Sequence, residues 1–505
     1  SEGEISISDE SWKLIVYRDL KPLFISHESL TRLSKNFQLV SSQRINLPSV
    51  RSTKSFIDVS LKRIENRLAE LSLSLGKNSR SKRELFDGLG SVLKWLIGTP
   101  DARDAEYYDD CINKLERREL DLTELMQNQL QITLSTIKNF NESIFKISFD
   151  EQIINENINR LNSYLNDSKK LMFDIKVNED ISIISIQILE LAVSLENEIN
   201  DCLSSILFAK SNAIHPSIIS LKKLYEELLL SNKIRSNKQF VAPVSIDNIH
   251  TLLDSNTLTS FVYSNRLVYV LEFPLVQNDP YTIYHLYSIP IQHTNTSFHS
   301  TVLPEHRYLA INHDGQHYVS TSSLESCIKF ARKKSVCKNL VVYNSATRPI
   351  CEVEILLSKS PYMPQTCTTS TFAANIRTFQ ALMNNRWLYI LDTEINCVLQ
   401  CNMDITNYKL RDSGILTLPQ GCKLHTGYST LSAYHSAEEN ITNPIIIPDI
   451  RTEDCFEITK DIETPSLIPI TINEIPLDSL KSIQSHISKY SEELKKIKKY
   501  HRNHS

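Results

Sequence analysis

No proline or glycine lies between Pro100 and Pro216. These are the residue types that most readily end a helix, so a stretch this long without either can be helical through most of its length. Within it Ile181, Ile184, Ile188, Leu191, Leu195, Ile199, Cys202 and Ile206 step by three and four positions without a break. That is the spacing of one buried helix face in a bundle or coiled coil. Leu115, Leu122, Leu125 and Ile132 follow a similar heptad-like spacing, interrupted by polar Gln129 and Thr136. An ordinary helical core accounts for any one of these segments as well as a coiled coil does.

The character changes at Phe240. "LVYVLEFPLV" and "YTIYHLYSIPI" are β-branched and aromatic runs closed by prolines, the pattern of strands, and this β-rich half extends to about Pro476. The last segment reads as helix again. Leu480, Ile483, Ile487, Tyr490, Leu494 and Ile497 form a strict two-position heptad seam, narrow enough to suit a partner helix or groove. Lys495, Lys496, Lys498, Lys499 and Arg502 then suit a helix C-terminus or the neighbourhood of an anionic membrane surface. Helices and strands thus fall in separate parts of the chain, which predicts an α+β fold. Residues 1–79 mix short β-like runs such as "WKLIVY" with one helical face, Phe56, Leu61, Ile64, Leu68, Leu71 and Leu75.

Between these regions stands "RSKRELFDGLGSVLKWLIG", which holds Gly88, Gly90 and Gly98 of the nine glycines in the chain. Arg80, Lys82 and Arg83 give the Arg-x-Lys-Arg form that secretory-pathway convertases cut, here between Arg83 and Glu84, and the preceding "GKNS" suits an exposed loop. A charge run alone is usually a solvated face. The segment after Arg83 adds weight. On a helix, Leu85, Leu89, Val92 and Leu96 make one stripe with Phe86, Leu93 and Ile97 beside it, opposite Glu84, Asp87, Ser91 and Lys94. Such a helix is about 20 Å long, too short to span a bilayer, but able to lie in its interface, where Trp95 is a favoured residue type. Burying its apolar face supplies a gross driving force on the order of 10 kcal/mol. The same pattern also suits a helix on the protein's own core.

Composition removes several other functions. The chain has 505 residues and a formal net charge of −4, which obliges no basic nucleic-acid face. It contains no phosphate-binding glycine loop. Of its ten cysteines, Cys111 and Cys202 lie in the helix-rich region, and Cys327, Cys337, Cys351, Cys367, Cys397, Cys401, Cys422 and Cys455 crowd into the β-rich half. That pattern suggests disulfides made in an oxidising compartment. A zinc site needs paired ligand sets, and Cys397 with Cys401 has no matching second pair. "HDGQH" and the residues His285, His306, His313, Asp314 and His317 invite a metal-site reading, but a polar turn around Gly315 explains them, so no metal, cofactor or enzyme activity is expected. Sequons at Asn141, Asn166, Asn295, Asn440 and Asn503 agree with the cysteine pattern. No apolar run is long enough for a transmembrane helix. The opening "SEGEIS" reads as a mature N-terminus after signal removal, and the basic end "KKIKKYHRNHS" as a natural terminus or the cut end of a membrane-anchored chain.

"RSKRELFDGLGSVLKWLIGTPDARDAEYYDD", together with "LEFPLV", "YHLYSIPI" and the downstream cysteine run, resembles baculovirus F-type fusion proteins and the related envelope proteins of insect errantiviruses. The resemblance covers the chain from Arg80 to its end. It implies a class I fusion glycoprotein with a paramyxovirus-F-like trimer, delivered through the secretory pathway to a virion envelope or cell surface. Its parts would be an N-terminal subunit (1–83), a fusion peptide (84–100), a helical region with the first heptad repeat (101–235), β-rich and disulfide-rich domains (236–476) and a second heptad repeat (477–505). Implied partners are two further copies of the chain, target-membrane lipid, a cell-surface receptor and a processing convertase. Two features depart from the family pattern: Glu84 stands where a small apolar residue is usual, and the N-terminal subunit has no cysteine. By likeness to the paramyxovirus cysteine order the expected pairs are Cys327–Cys337, Cys351–Cys367 and Cys401–Cys422, with Cys397–Cys455 left by default and Cys111–Cys202 as the remaining pair. The resemblance also sets a structural criterion: residues 104–140 form one long helix after fusion and broken elements before it. A domesticated envelope that binds a receptor as a decoy or adhesion protein without fusing is the alternative.

Overall fold

The computed structural model describes residues 2–41, 48–75, 94–97, 102–117, 130–134, 152–163, 172–234, 238–277, 279–293, 298–357, 361–433, 446, 470–472 and 477–478. Arg80, Lys82, Arg83 and Glu84, the apolar residues Leu85, Phe86, Leu89, Val92 and Leu93, all five sequons, Cys455, Leu122, Leu125 and the seam from Leu480 to Ile497 lie outside the described residues. Helices and mostly antiparallel sheets give an α+β architecture in two compact units, residues 9–276 and residues 1–8 with 277–505.

In the 9–276 unit the sheet takes β1 (Gly3–Asp19) from residue 9 onward, β2 (Lys94–Ile97), β3 (Leu130–Leu134), β4 (Gln239–Phe240), β5 (Thr257–Tyr263) and β6 (Arg266–Val276). Its order is β3-β1-β6-β5-β2, with β4 on β6. β5 and β6 form a hairpin whose turn residues, Ser264 and Asn265, both have positive φ. Two left-handed residues in a two-residue turn match the twist of the strands they join. The strands alternate strictly. Leu14, Val16, Val262, Leu267, Tyr269 and Leu271 face one way, and Ile15, Tyr17, Phe261, Val268 and Val270 the other. Both sets are buried, so helices must cover both faces.

One face carries α3 (Ala102–Glu116) through Ala105, Tyr108, Cys111 and Ile112. The other carries a bundle of α1 (Lys21–Ser41), α2 (Pro48–Ser74), α4 (152–163), α5 (Met172–Lys210), α6 (Leu221–Ile234) and α7 (Ile249–Ser255). The seam from Ile181 to Ile206 lies on α5, and all eight of its residues are buried in one cluster with Leu30, Leu33 and Phe37 of α1 and Ile57, Ile64, Leu68 and Leu71 of α2. Ile57, not Phe56, begins the buried face of α2; Phe56 is exposed. Arg18 and Glu198 form an ion pair at 3.3 Å under this cluster, and Ser205 Oγ meets the Tyr269 hydroxyl at 2.6 Å.

Two elements differ from the sequence reading. Helix α1 stands where only β-like runs were expected before residue 56. Its start is nonetheless written in the chain: Pro22 sits in the first turn, and the Asp19 carboxylate accepts the Lys21 N–H at 2.9 Å. The second difference is β3. Ile132, placed in a heptad by its spacing, is on a strand that runs parallel to β1, with Ile15 opposite Ile132. Leu130 and Ile132 face the α3 side, while Gln131 points the other way and donates to Glu227 of α6. A period of two fits these five residues as well as a helical one, and the open side of β1 decides between them.

The second unit contains two sheets. Residues 3–8 of β1 lie between β13 (Lys334–Lys338), which runs parallel, and β7 (Tyr281–His285), followed by β10 (Tyr308–Asn312), β11 (His317–Thr321) and β14 (Tyr343–Asn344), while β12 (Cys327–Ala331) pairs with β13. The other sheet is built on β15 (Thr369–Ala381) and β16 (Arg386–Cys401), flanked by β8 (Ile291–Gln292), β9 (Phe298–Val302), β17 (Asp404–Thr417), β18 (Cys422–His425), β19 (Thr430–Ser432) and β20 (Ile470–Ile472). Disulfides join Cys327 to Cys337 and Cys401 to Cys422, each across a directly opposed strand pair, and Cys351 of α8 (Cys351–Leu357) to Cys367.

Ile199 is fully buried at the centre of the α5 seam. Ile199→Ala is expected to destabilise the protein by about 2–5 kcal/mol, the cost of lost contacts plus a cavity, measured as a shift in its denaturant midpoint.

Candidate functional site

The apolar segment after the basic tetrapeptide ends in β2, which pairs antiparallel with β5: Lys94 opposite Val262, Trp95 opposite Phe261 and Ile97 opposite Ser260. A helix over residues 84–98 is therefore corrected for its last part, which is strand. The outer edge of β5 offers backbone partners, and "KWLI" is aromatic and branched enough to use them. Leu96 packs half-buried on the helical bundle. Of the residues singled out in this segment, the structure brings Trp95, Leu96 and Ile97 to the sheet.

Just beyond β2 lies α3, and its polar side is held by one residue. Arg266 follows the left-handed turn at the start of β6. Its Nη1 donates to Asp109 Oδ1 and to Asn113 Oδ1, both at 2.8 Å, and its Nη2 donates to Glu116 Oε2 at 2.7 Å. Asn113 Nδ2 in turn donates to Asp109 Oδ2 at 3.0 Å. Residues 109, 113 and 116 share one helix face, so a single guanidinium fork spans two turns of α3. The same guanidinium lies over the Tyr17 ring at 6.0 Å. Nearer the start of α3, Lys13 Nζ donates to the Tyr108 hydroxyl at 3.1 Å and pairs with Glu272. Asp19 is an exposed residue, yet the protein atoms around its carboxyl partly desolvate it and push it above its ordinary range, opposed by its bond to the Lys21 N–H and by Arg266 and reinforced by Glu116. Composition and periodicity gave no sign of Arg266, because its three partners lie 150 or more residues away in sequence.

The second unit fixes the chain just ahead of the terminal seam. Leu477 is fully buried against Ala374, Ile376, Leu388 and Ile390, and its carbonyl accepts the Ser288 N–H at 2.8 Å. The Asp478 carboxylate lies 3.0 Å from His285 Nε2. His285 Nδ1 lies 2.8 Å from the Tyr287 hydroxyl and 3.1 Å from Glu2, and its ring stacks on Tyr308. Burial, then the nearby Glu2 and Asp478 charges, raise the Tyr287 hydroxyl well above its ordinary range. The "HDGQH" stretch is the β10–β11 turn: Gly315 has φ +74°, and Asp314 Oδ1 and Asn312 Oδ1 accept the N–H groups of Gln316 and His317. Among the described residues, no group of three or more His, Cys, Asp and Glu is placed to hold a metal ion.

Three cysteines depart from the expected pairing. Cys111 on α3 and Cys202 on α5 are buried thiols on opposite faces of the sheet, not joined to each other. A disulfide needs Cα atoms within about 7 Å, and the sheet stands between these two. Cys397 is a buried thiol of β16, packed among Leu391, Ile395, Leu418 and Leu424 rather than bonded to Cys455. Burial pushes the Cys202 and Cys397 thiols up, as for cysteines acting as small apolar side chains.

A family model described as Baculovirus F protein matches residues 36–505. The chain belongs to that family. The family is one of envelope fusion glycoproteins, not enzymes. The chain is also 22% identical over 333 residues to a protein named envelope fusion protein from Lymantria dispar multicapsid nuclear polyhedrosis virus. That match covers 64% of this chain and 45% of the relative, so it spans under half of the relative's length. No helix among the described residues of this F-family chain is long and apolar enough to cross a membrane.

The raised Asp19 carboxyl gives a signed pH prediction. The native state holds this proton to a higher pH than the unfolded chain does, so the ionised group lowers stability as pH rises through that window. Asp19→Asn keeps an acceptor for the Lys21 N–H and removes the charge. Because Asp19 stays largely exposed and solvent screens its charge, the variant is expected to raise the melting temperature only slightly at neutral pH and to leave it unchanged below about pH 3, where both states are protonated.

Proposed function

We propose that this chain is the ectodomain part of an envelope glycoprotein that fuses a viral or cellular membrane with a target membrane, in the state that precedes fusion. Cleavage after Arg83 separates residues 1–83 from residues 84–505 and frees a new end at Glu84. Residues 84–98 then insert into target lipid, the first heptad region extends as a three-stranded coil, and the 477–505 segment folds back along it. Foldback supplies the work, and no bond chemistry is involved after cleavage. The assembly is a class I homotrimer carrying glycans at the five sequons, and a cell-surface receptor selects the target.

One observation carries this reading. Residues 104–140 are broken: α3 ends at Glu116, and Leu130–Leu134 is a strand. No proline or glycine forces that break. Sequence able to continue as helix is instead held in pieces by tertiary contacts, β3 by β1 and α3 by Arg266. A fold that holds helix-forming sequence this way retains free energy that a continuous helix recovers once the contacts are lost. The strand β2 supports the same state, since the end of the membrane-seeking segment is paired on the protein's own sheet.

The test uses the full-length protein on cells and a content-mixing assay with target cells. Wild-type protein is expected to fuse, and Arg83→Ser to lower fusion to background while leaving surface expression unchanged. Undiminished fusion by Arg83→Ser overturns the priming step. Absence of fusion by cleaved wild-type protein under every trigger overturns the reading in favour of a receptor-binding envelope that does not fuse.

A further inference from the structure

Resting on the fusion reading, we infer that Arg266 is the positioning residue that sets how strongly the chain must be triggered before the 102–116 segment leaves the sheet. The apolar hold on α3 is small: Ala105, Tyr108, Cys111 and Ile112 are its buried contacts with the sheet. The polar hold is a connected set of contacts. Asp109 is buried, Arg266 is nearly so, and three of the guanidinium's hydrogen bonds end on α3. The cation also sits against the last turn of α3, where a helix C-terminus favours positive charge.

The chemistry makes this hold switch-like. A part-buried ion pair contributes little net stability, because taking both charges out of water offsets their attraction. Losing one partner, however, leaves the other charge buried and unpaired, which is costly. The clamp therefore adds little to the stability of the whole unit, yet α3 cannot lift off the sheet without separating Arg266 from all three acceptors. The charged and titratable groups around the guanidinium are Asp109 and Glu116 on α3, Tyr17 and Asp19 on β1, and Lys21 at the start of α1. Acidic groups outnumber basic ones among them, so the cation is the member whose removal unbalances the set.

The experiment compares wild type, Arg266→Met, Glu116→Gln and the double variant as full-length cleaved protein on cells. It measures the rate of content mixing at a fixed, submaximal trigger, with amide exchange of residues 102–116 and of α2 recorded before triggering. Arg266→Met is expected to fuse about tenfold faster, equivalent to roughly 1.4 kcal/mol less hold, and to raise exchange in 102–116 while leaving α2 unchanged. Glu116→Gln touches only the exposed limb of the clamp and is expected to give a smaller shift in the same direction. The double variant is expected to match Arg266→Met, since both changes remove one interaction. If Arg266→Met fails to reach the surface, the Glu116→Gln rate decides. Fusion by every variant at the wild-type rate overturns the role of Arg266 and leaves the fusion reading standing, and so does exchange that rises equally in α2. No fusion by wild-type protein overturns both.

Discussion

Strand β6 presents Leu267, Tyr269, Leu271, Phe273 and Leu275 to the helical bundle and Val268 and Val270 to α3. The 9–276 unit depends on this two-sided burial. A strand buried on both faces needs cover on both, and the two covers differ in kind. On one side lies a long seam of α5 packed against α1 and α2, with Tyr269 bonded to Ser205 and Arg18 paired with Glu198 beneath it. On the other lies a single 15-residue helix with a small apolar face and a charged rim. The two covers belong to separate clusters, with the sheet between them.

That asymmetry bears on where the free energy lies. The α5 seam buries eight residues in one cluster, all on a helix the sequence already favours, so local propensity and packing agree there. In α3 and β3 they disagree. A stretch free of proline and glycine is divided into a short helix and a parallel strand, and the strand exists because β1 has an open side for it. Local preference and tertiary contact therefore conflict there, while along the α5 seam they agree.

The legible and illegible parts of the sequence divide along the same line. The seam from Ile181 to Ile206 could be read directly, because an uninterrupted 3-4 spacing has one structural meaning once the helix is long. The change to strands at Phe240 was readable from β-branched runs closed by prolines, and Gly315 from its polar turn. Likeness to a known cysteine order supplied Cys327–Cys337, Cys351–Cys367 and Cys401–Cys422, the pairs that the structure joins. The features that escaped depend on partners distant in sequence. Ile132 and Trp95 lie in short segments whose apolar spacing suits helix or strand, and a neighbouring strand edge chooses. Cys111 and Cys202 look like a leftover pair until the sheet is seen between them. Arg266 carries no motif at all.

The second unit shows why an anchor just ahead of the terminal seam matters to the proposed mechanism. A helix that is to pull on a membrane can do work only against a fixed point. Leu477 supplies one, being fully buried among Ala374, Ile376, Leu388 and Ile390 with its carbonyl bonded to Ser288. Asp478 adds a polar tie to His285, whose ring is itself fixed by Tyr287, Glu2 and the stacked Tyr308. The seam begins two residues later, at Leu480. On the proposed mechanism, the seam that the spacing predicts from Leu480 to Ile497 would pull against this attachment. The disulfides brace this unit across the β12–β13 hairpin, between β16 and β18, and at α8, and none of them includes Leu477 or Asp478. The covalent bracing of the unit therefore leaves the hold on Leu477 and Asp478 to packing and hydrogen bonds.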